Sequence, residues 1–327
     1  MIESVAVIGL GNISKRHRCN LRLRFPDAKI LVMSASGRVT NEVLDNADVV
    51  LTGLQELIDA KPYLVIVASP APFHASHAIA ILEAGIPVLV EKPLTSTTTD
   101  ATSIINAASK LATPVSVGYM VRYLRSAQLM KKYLEQGVIG SVYNVSVNIG
   151  QFLPEWRPTK DFRKSVSANR SLGGGVLLEL SHELDYIRWL LGDISFQYAI
   201  LRSSSELELD VEELADLVLM SESGAICNIH LDFLQKHSQR KCSFIGSTGR
   251  IDWDLLNNTI NLFNSEGLEI LFSEPDSDRN QMYLDMLDDF ICLINNEPNH
   301  CINLHQAYKT VALIEEIKEK AVWGIKQ

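Results

Sequence analysis

A chain of 327 residues is long enough for two domains and a sizeable core, and its composition is that of an ordinary globular protein. Its 30 Lys and Arg against 39 Asp and Glu give a formal net charge of -9, which leaves no basic surplus for phosphates and argues against nucleic acid as a partner. Five cysteines, at 19, 227, 242, 292 and 301, form no C-x-x-C pair, a usage that fits reduced thiols in a cytoplasm and offers no metal site.

The opening MIESVAVIGL lacks the basic n-region and cleavage site of a signal peptide, so no export is expected. Elsewhere Glu83 interrupts AIAILEAGIPVLV, and no stretch approaches the ~20 apolar residues of a membrane helix. From residue 4 to about 118, VAVIG, KILVM, YLVIVAS, VLVE and VSVGY read as strands buried on both faces. The segments near 16–23, 54–60, 75–84 and 100–111 read as helices, which together predict a doubly wound parallel sheet over residues 1–121.

GLGNIS follows the first strand and opens a helix, with Gly9, Gly11 and Ser14 at the three positions of the dinucleotide fingerprint. Gly9 permits a tight turn, Gly11 removes a side chain where a pyrophosphate would lie, and Ser14 stays small enough for close helix packing. Gly9, Gly11, Asn12 and Ile13 are therefore expected cofactor contacts. The second strand ends on Ser34 and Ser36 followed by Arg38, where an NAD site would carry Asp or Glu. Hydroxyl donors and a cation suit a ribose 2′-phosphate, so the sequence points to NADP over NAD, an ordinary loop arginine being the alternative.

After VGYMVRY, strand-like VYNVSVNIG, FQYAILRS, ADLVLMS, AICNIHLDF and KCSFIG predict an α+β domain over residues 122–327 with a mainly antiparallel, open-faced sheet. Helices near 281–294 and 305–320 close the chain. Residues 150–172 form a long, polar, proline-punctuated segment carrying Trp156, Arg157, Arg163 and Lys164. It reads as a loop over substrate, aromatic faces suiting sugars and cations suiting carboxylate or phosphate, or else as a surface excursion.

GGGVLLELSHELDYIRWLLG, residues 173–192, reads as one helix with a core stripe at Leu177, Leu180, Leu184, Ile187 and Leu191. That stripe points His182 away from the core, flanked by Glu179 and Asp185, a face that alone also reads as merely solvated. The E-x-x-H spacing of Glu179 and His182 lacks the paired helices and extra glutamates of a di-iron site, and His74 with His77 lacks a third ligand, so no metal is expected.

GLGNIS, ASPAPFH at 68–74, VEKPL at 90–94, GYMVRY, the GGG helix and IGSTGRIDWD at 245–254 together resemble the Gfo/Idh/MocA family of NAD(P)-dependent oxidoreductases. The resemblance implies hydride transfer to or from a hydroxyl or keto carbon of a sugar, sugar acid, nucleotide sugar or polyol. It implies cofactor contacts at Ser69, Pro70, His74, Glu91 and Lys92, with Lys92 between nicotinamide and substrate hydroxyl, and substrate contacts at Tyr119 and Arg122. His182 becomes the expected proton acceptor and donor, Glu179 and Asp185 its supports. Family members carry an aspartate and, four residues on, the histidine; here Glu179 takes the aspartate position and His182 follows after three. In relatives the open sheet often makes a dimer or tetramer. Two other activities share this frame, a glycoside hydrolase that uses a tightly held NAD transiently and a regulator that senses NADP without chemistry.

Overall fold

In the computed structural model, which describes residues 1–38, 40, 43–156, 158–203 and 206–324, the chain packs as two compact units. Met1–Met120 with Tyr283–Ala312 form one, and Val121–Met282 with Leu313–Gln327 form the other. The first junction falls beside the expected 121/122 division, but a linear division omits the return of residues 283–312 to the first unit.

The first unit is built on β1 (Ser4–Ile8), β2 (Lys29–Met33), β3 (Val49–Leu51), β4 (Val65–Val67), β5 (Val88–Glu91) and β6 (Val115–Gly118). They lie in the order β3-β2-β1-β4-β5-β6, every pair parallel. Helices α1 (Asn12–Arg24), α2 (Leu54–Asp59), α3 (His74–Glu83) and α4 (Thr98–Ala108) supply the crossovers. The strands are apolar runs because both faces are covered, and Val5, Ala6, Val7 and Ile8 are fully buried. Strand order reverses beside β1, the switch point at which an open α/β sheet leaves a crevice beyond its carboxyl ends. The sequence pattern misses β3, whose three residues are too few to show a period.

The second unit contains α5 (Arg125–Glu135), β7 (Val142–Gly150), α6 (Val176–Glu179) and α7 (Ser181–Leu191). Then follow β8 (Ile194–Arg202), β9 (Leu214–Ser221), β10 (Ile226–Asp232), β11 (Gln239–Gly246), β12 (Arg250–Asp254), β13 (Thr259–Asn264) and β14 (Gly267–Ser273). Helix α8 (Gln281–Ile294) from Tyr283 onward and α9 (Leu304–Lys320) as far as Ala312 belong to the first unit, and the rest of α9 with a short β15 (Val322–Trp323) returns to the second. The sheet order is β14-β13-β12-β11-β7-β10-β9-β8-β15, antiparallel except at β7·β10 and β8·β15. Period-two alternation sends Val145, Val147 and Ile149 into the core. Across the sheet, Tyr198, Ile200, Met220 and Ile226 stay exposed on the open face.

The single helix expected over 173–192 is instead two, broken at Leu180 with φ -98° and ψ 27°. The alternative of a merely solvated face does not hold at His182 and Asp185, which are 6% and 1% exposed, and neighbouring Glu183 is fully buried.

On the open sheet, His230 lies with Nδ1 2.7 Å from Asp216 Oδ1 and Nε2 2.9 Å from Asp232 Oδ2. The Asp232 bond, then Asp216, outweigh partial burial and raise the imidazole to about 9. A folded pKa above the unfolded value of ~6.5 stabilises the fold fully below that value and progressively less as pH climbs toward about 9. Thermal unfolding midpoints of His230→Gln should therefore fall less than those of the parent chain between about pH 6.5 and 9; parallel curves would rule out this pair of carboxylates as the cause.

Candidate active site

The turn after β1 leaves no space for a side chain at its first glycine. Gly9 has φ +121°, and a Cβ there would lie 2.3 Å from the Ala68 carbonyl oxygen on the neighbouring β4 segment. A Cβ on exposed Gly11 would meet nothing within 4 Å, so the space beside it belongs to no protein atom. Ser14 Oγ donates to Gly9 O at 2.5 Å and accepts from Arg18 at 2.9 Å, which locks the turn to α1. The first turn of α1 has no acidic residue and no side-chain cap, so the main-chain N–H groups at Asn12 and Ile13 are available to an anion. These features fit a dinucleotide pyrophosphate.

Beyond β2, Ser34 Oγ lies 3.2 Å from Ser36 Oγ, and Arg38 is exposed. Ser69, after β4, places Oγ 3.0 Å from His77 Nδ1. Burial, then neighbouring His74, push His77 down to about 4, while the Ala35 main chain opposes them. Neutral His77 thus joins the end of the β4 strand to the loop after β2. His74, which follows Pro70, has Nε2 2.7 Å from Ser69 O and Nδ1 3.0 Å from Pro93 O, so it stitches ASPAPFH to VEKPL. Burial lowers its pKa against the three carbonyls that favour its proton.

Lys92 stands just beyond β5, half-buried, and its main-chain N–H donates to Glu91 Oε2 at 3.1 Å. Glu91 also receives His17 Nε2 at 2.6 Å. Burial pushes the Glu91 carboxyl up, but the His17 bond, His17's charge and Lys92 hold it below the usual carboxylate range. Tyr119, just past β6, is fully buried. Sequence reasoning missed His17 and Arg18, although Ser14, His17, Arg18 and Leu21 sit at helical spacing and are the buried face of α1.

In the second unit His182 occupies the first turn of α7 and is buried. Arg122 grips Asp185 bidentately, Nε to Oδ2 at 2.8 Å and Nη2 to Oδ1 at 2.7 Å. Both Asp185 oxygens are thereby bonded to Arg122, so the expected substrate contact and the expected histidine support pair with each other. Burial raises the Asp185 carboxyl, with Arg122 opposing. A second pin, missed in the sequence, runs from Arg240 Nε to Glu183 Oε1 at 2.7 Å. Glu179 accepts from Ser167 Oγ at 3.0 Å and so ties α6 to the 150–172 loop.

Two of the three glycines that precede α6 lie where a side chain would meet protein atoms. A Cβ on Gly174 would lie 2.5 Å from Val166 O, and one on Gly175, at φ +105°, 2.3 Å from Glu212 Oε1. Within the loop, Trp156 packs edge-on against Phe233 with centroids 5.5 Å apart and donates to Gln151 O. Arg163 and Lys164 are exposed, Arg163 stacking 4.8 Å over Phe162. Arg157 lies outside the described residues.

Residues 4–119 match the oxidoreductase family with an NAD-binding Rossmann fold, and residues 127–252 match the GFO/IDH/MocA C-terminal domain. The chain belongs to the Gfo/Idh/MocA family. It is similar to inositol 2-dehydrogenase 1 of Saccharopolyspora erythraea, 29% identical over 277 residues that cover 80% of this chain and 76% of that protein. Its fold matches levoglucosan dehydrogenase in complex with NADH and levoglucosan, TM-score 0.83 at 19% identity over 97% and 96% of the two chains. It also matches the WlbA dehydrogenase of Bordetella pertussis in complex with NADH and UDP-GlcNAcA, TM-score 0.81 at 20% identity over 98% and 96%. As a Gfo/Idh/MocA member the chain is an oxidoreductase with a nicotinamide-dinucleotide domain, and among the described residues no helix is long and apolar enough to cross a membrane.

Removing one partner of a buried ion pair strands the other, at a cost of ~3–5 kcal/mol, whereas an apolar pair of similar volume is often neutral. Urea denaturation should show that loss for Asp185→Ala and a clear recovery for Arg122→Leu combined with Asp185→Leu. Equal losses in both would show that the pair does not hold α7.

Proposed function

We propose that this chain is an NAD(P)-dependent dehydrogenase or reductase acting on a hydroxyl or keto carbon of a sugar, sugar acid, nucleotide sugar or polyol. The observation that carries the reading is one sheet with the Gly9–Ser14 turn beyond β1 and Lys92 beyond β5, both at carboxyl ends. The relatives' names add the substrate class: inositol, levoglucosan and a UDP-sugar acid are all rich in CH-OH groups.

The nicotinamide, when bound, supplies or takes the hydride. Gly9, Gly11, Asn12 and Ile13 would hold the pyrophosphate, and Ser69, Pro70 and His74 would line the same crevice. Lys92, by the family resemblance, favours negative charge on the substrate oxygen. His182 takes the hydroxyl proton in oxidation and returns it in reduction. Arg122 and Asp185 hold the helix that presents His182, while Glu179 joins that region to the loop. Exposed Arg163 and Lys164, with Arg157, favour an anionic sugar or nucleotide sugar.

Two of the solved relatives hold NADH. In this chain Ser34, Ser36 and exposed Arg38 support the 2′-phosphorylated cofactor instead. The chain acts in the cytoplasm and assembles as a dimer or tetramer through the open sheet, where Tyr198, Ile200, Met220 and Ile226 are exposed apolar surface.

Fluorescence titration should find NADPH bound more tightly than NADH, and Arg38→Ala should weaken NADPH about tenfold while leaving NADH unchanged. NADH binding tighter than NADPH would overturn the preference. In a screen of sugar acids, nucleotide sugars and polyols followed by nicotinamide absorbance, Lys92→Ala and His182→Ala should each lower turnover about a hundredfold or more. Near-normal turnover in a folded variant would remove that residue from the mechanism.

A further inference from the structure

His17 and Glu91 are 2% and 6% exposed, and Nε2 of the one lies 2.6 Å from Oε1 of the other. Glu91 Oε2 accepts the main-chain N–H of Lys92 at 3.1 Å. A carboxylate taken out of water keeps its charge only where donors replace the lost solvent, and these two donors arrive from different places. One is on α1, the helix that begins at the dinucleotide turn; the other is the backbone of the lysine itself. Tyr283 meets the His17 ring edge-on, centroids 6.2 Å apart, and carries Arg16 over its own face at 4.6 Å, which limits how the imidazole turns. The titratable groups that face Glu91 are His17 from α1, Lys92 beside it and His74 at the start of α3.

We propose that His17 is a positioning residue for the reaction: through Glu91 it fixes the main chain at Lys92 and so couples the cofactor-binding helix to the lysine. The part that concerns turnover rests on the function proposed above; the link from His17 to Glu91 does not. An apolar side chain at 17 removes one donor from a buried carboxylate. Burial then pushes the carboxyl upward with less to oppose it, and a carboxyl that takes up a proton is a weaker acceptor for the Lys92 N–H. The damage passes through Glu91, so it disappears when residue 91 can no longer ionise.

The test compares the parent chain with His17→Leu, His17→Gln, Glu91→Gln and the double variant His17→Leu/Glu91→Gln. Infrared spectra at pH 7 of the chain without cofactor should show a carboxylic-acid C=O band in His17→Leu that is absent from the parent and from the double variant. With cofactor and substrate, His17→Leu should lower kcat about tenfold or more while KM for the cofactor stays within about threefold. His17→Gln, which still offers an N–H, should restore most of kcat, and the double variant should be no slower than Glu91→Gln alone. If His17→Leu does not fold, His17→Phe keeps a ring against Tyr283 and carries the same measurements. No acid band in the variant, or losses at 17 and 91 that add, would overturn the proposal. A parent chain that transfers no hydride would sink the proposed function while the infrared comparison still decides the link.

Discussion

A charge taken out of water must meet a partner or be neutralised, and the helices that carry the candidate residues bury several. On α1 the buried face includes His17 and Arg18; on α7 it includes Glu183, Asp185 and Arg188. Each finds a partner: His17 meets Glu91 at the end of β5, Arg18 the Ser14 hydroxyl of its own helix and the Asp45 carbonyl, Glu183 meets Arg240 on β11, Asp185 meets Arg122, and Arg188 meets Asp193 just past α7. Such pairs contribute little net stability compared with apolar packing, but only one register satisfies all of them. Rotating α7 by a single residue would strand two carboxylates and an arginine at once. The orientation of His182 is therefore fixed by its neighbours on the helix.

The same constraint explains what was legible in the sequence. Strands buried on both faces had to be apolar, so β1, β2, β4, β5 and β6 stood out, and the glycines that mark the dinucleotide turn stood out with them. Helix α1 was expected near 16–23, but its buried face was not, because its core stripe of Ser14, His17, Arg18 and Leu21 is mostly polar, although its period is that of any packed helix. A helix that must lie on a parallel sheet yet offers few apolar residues is itself a sign that polar groups are buried there. Short β3 and β14 escaped for another reason: three residues show no period, and Gly267 to Ile270 of β14 are exposed on both faces, whereas β12 and β13 do alternate.

The glycines at 173–175 show a different limit. Their need for space was legible from their chemistry, but the atoms that fill the space were not. Gly174 sits against the main chain at 166–169, close in sequence, and Gly175 sits against Glu212, which arrives from the loop before β9. Glu212 also accepts the Leu177 N–H and lies 3.4 Å from the Lys318 ammonium, so the start of α6 is anchored to a carboxylate that no local pattern announces. A close approach read from glycine says that something is near; whether it is a ligand or the chain itself depends on contacts made across the fold.

The spacing between Glu179 and His182 turns on the same distinction. The family resemblance leads to an expected spacing of four between an acid and a histidine, and on one continuous helix a spacing of three would keep the two on neighbouring faces. The chain has no continuous helix there. Leu180 ends α6 and α7 starts at Ser181, so helical periodicity does not carry across from Glu179 to His182. Glu179 turns to the Ser167 hydroxyl, and His182 begins a new helix whose direction is set by Arg122 and Arg240. Glu179 ties the loop at 150–172 to α6, and the break at Leu180 separates it from the helix that carries His182.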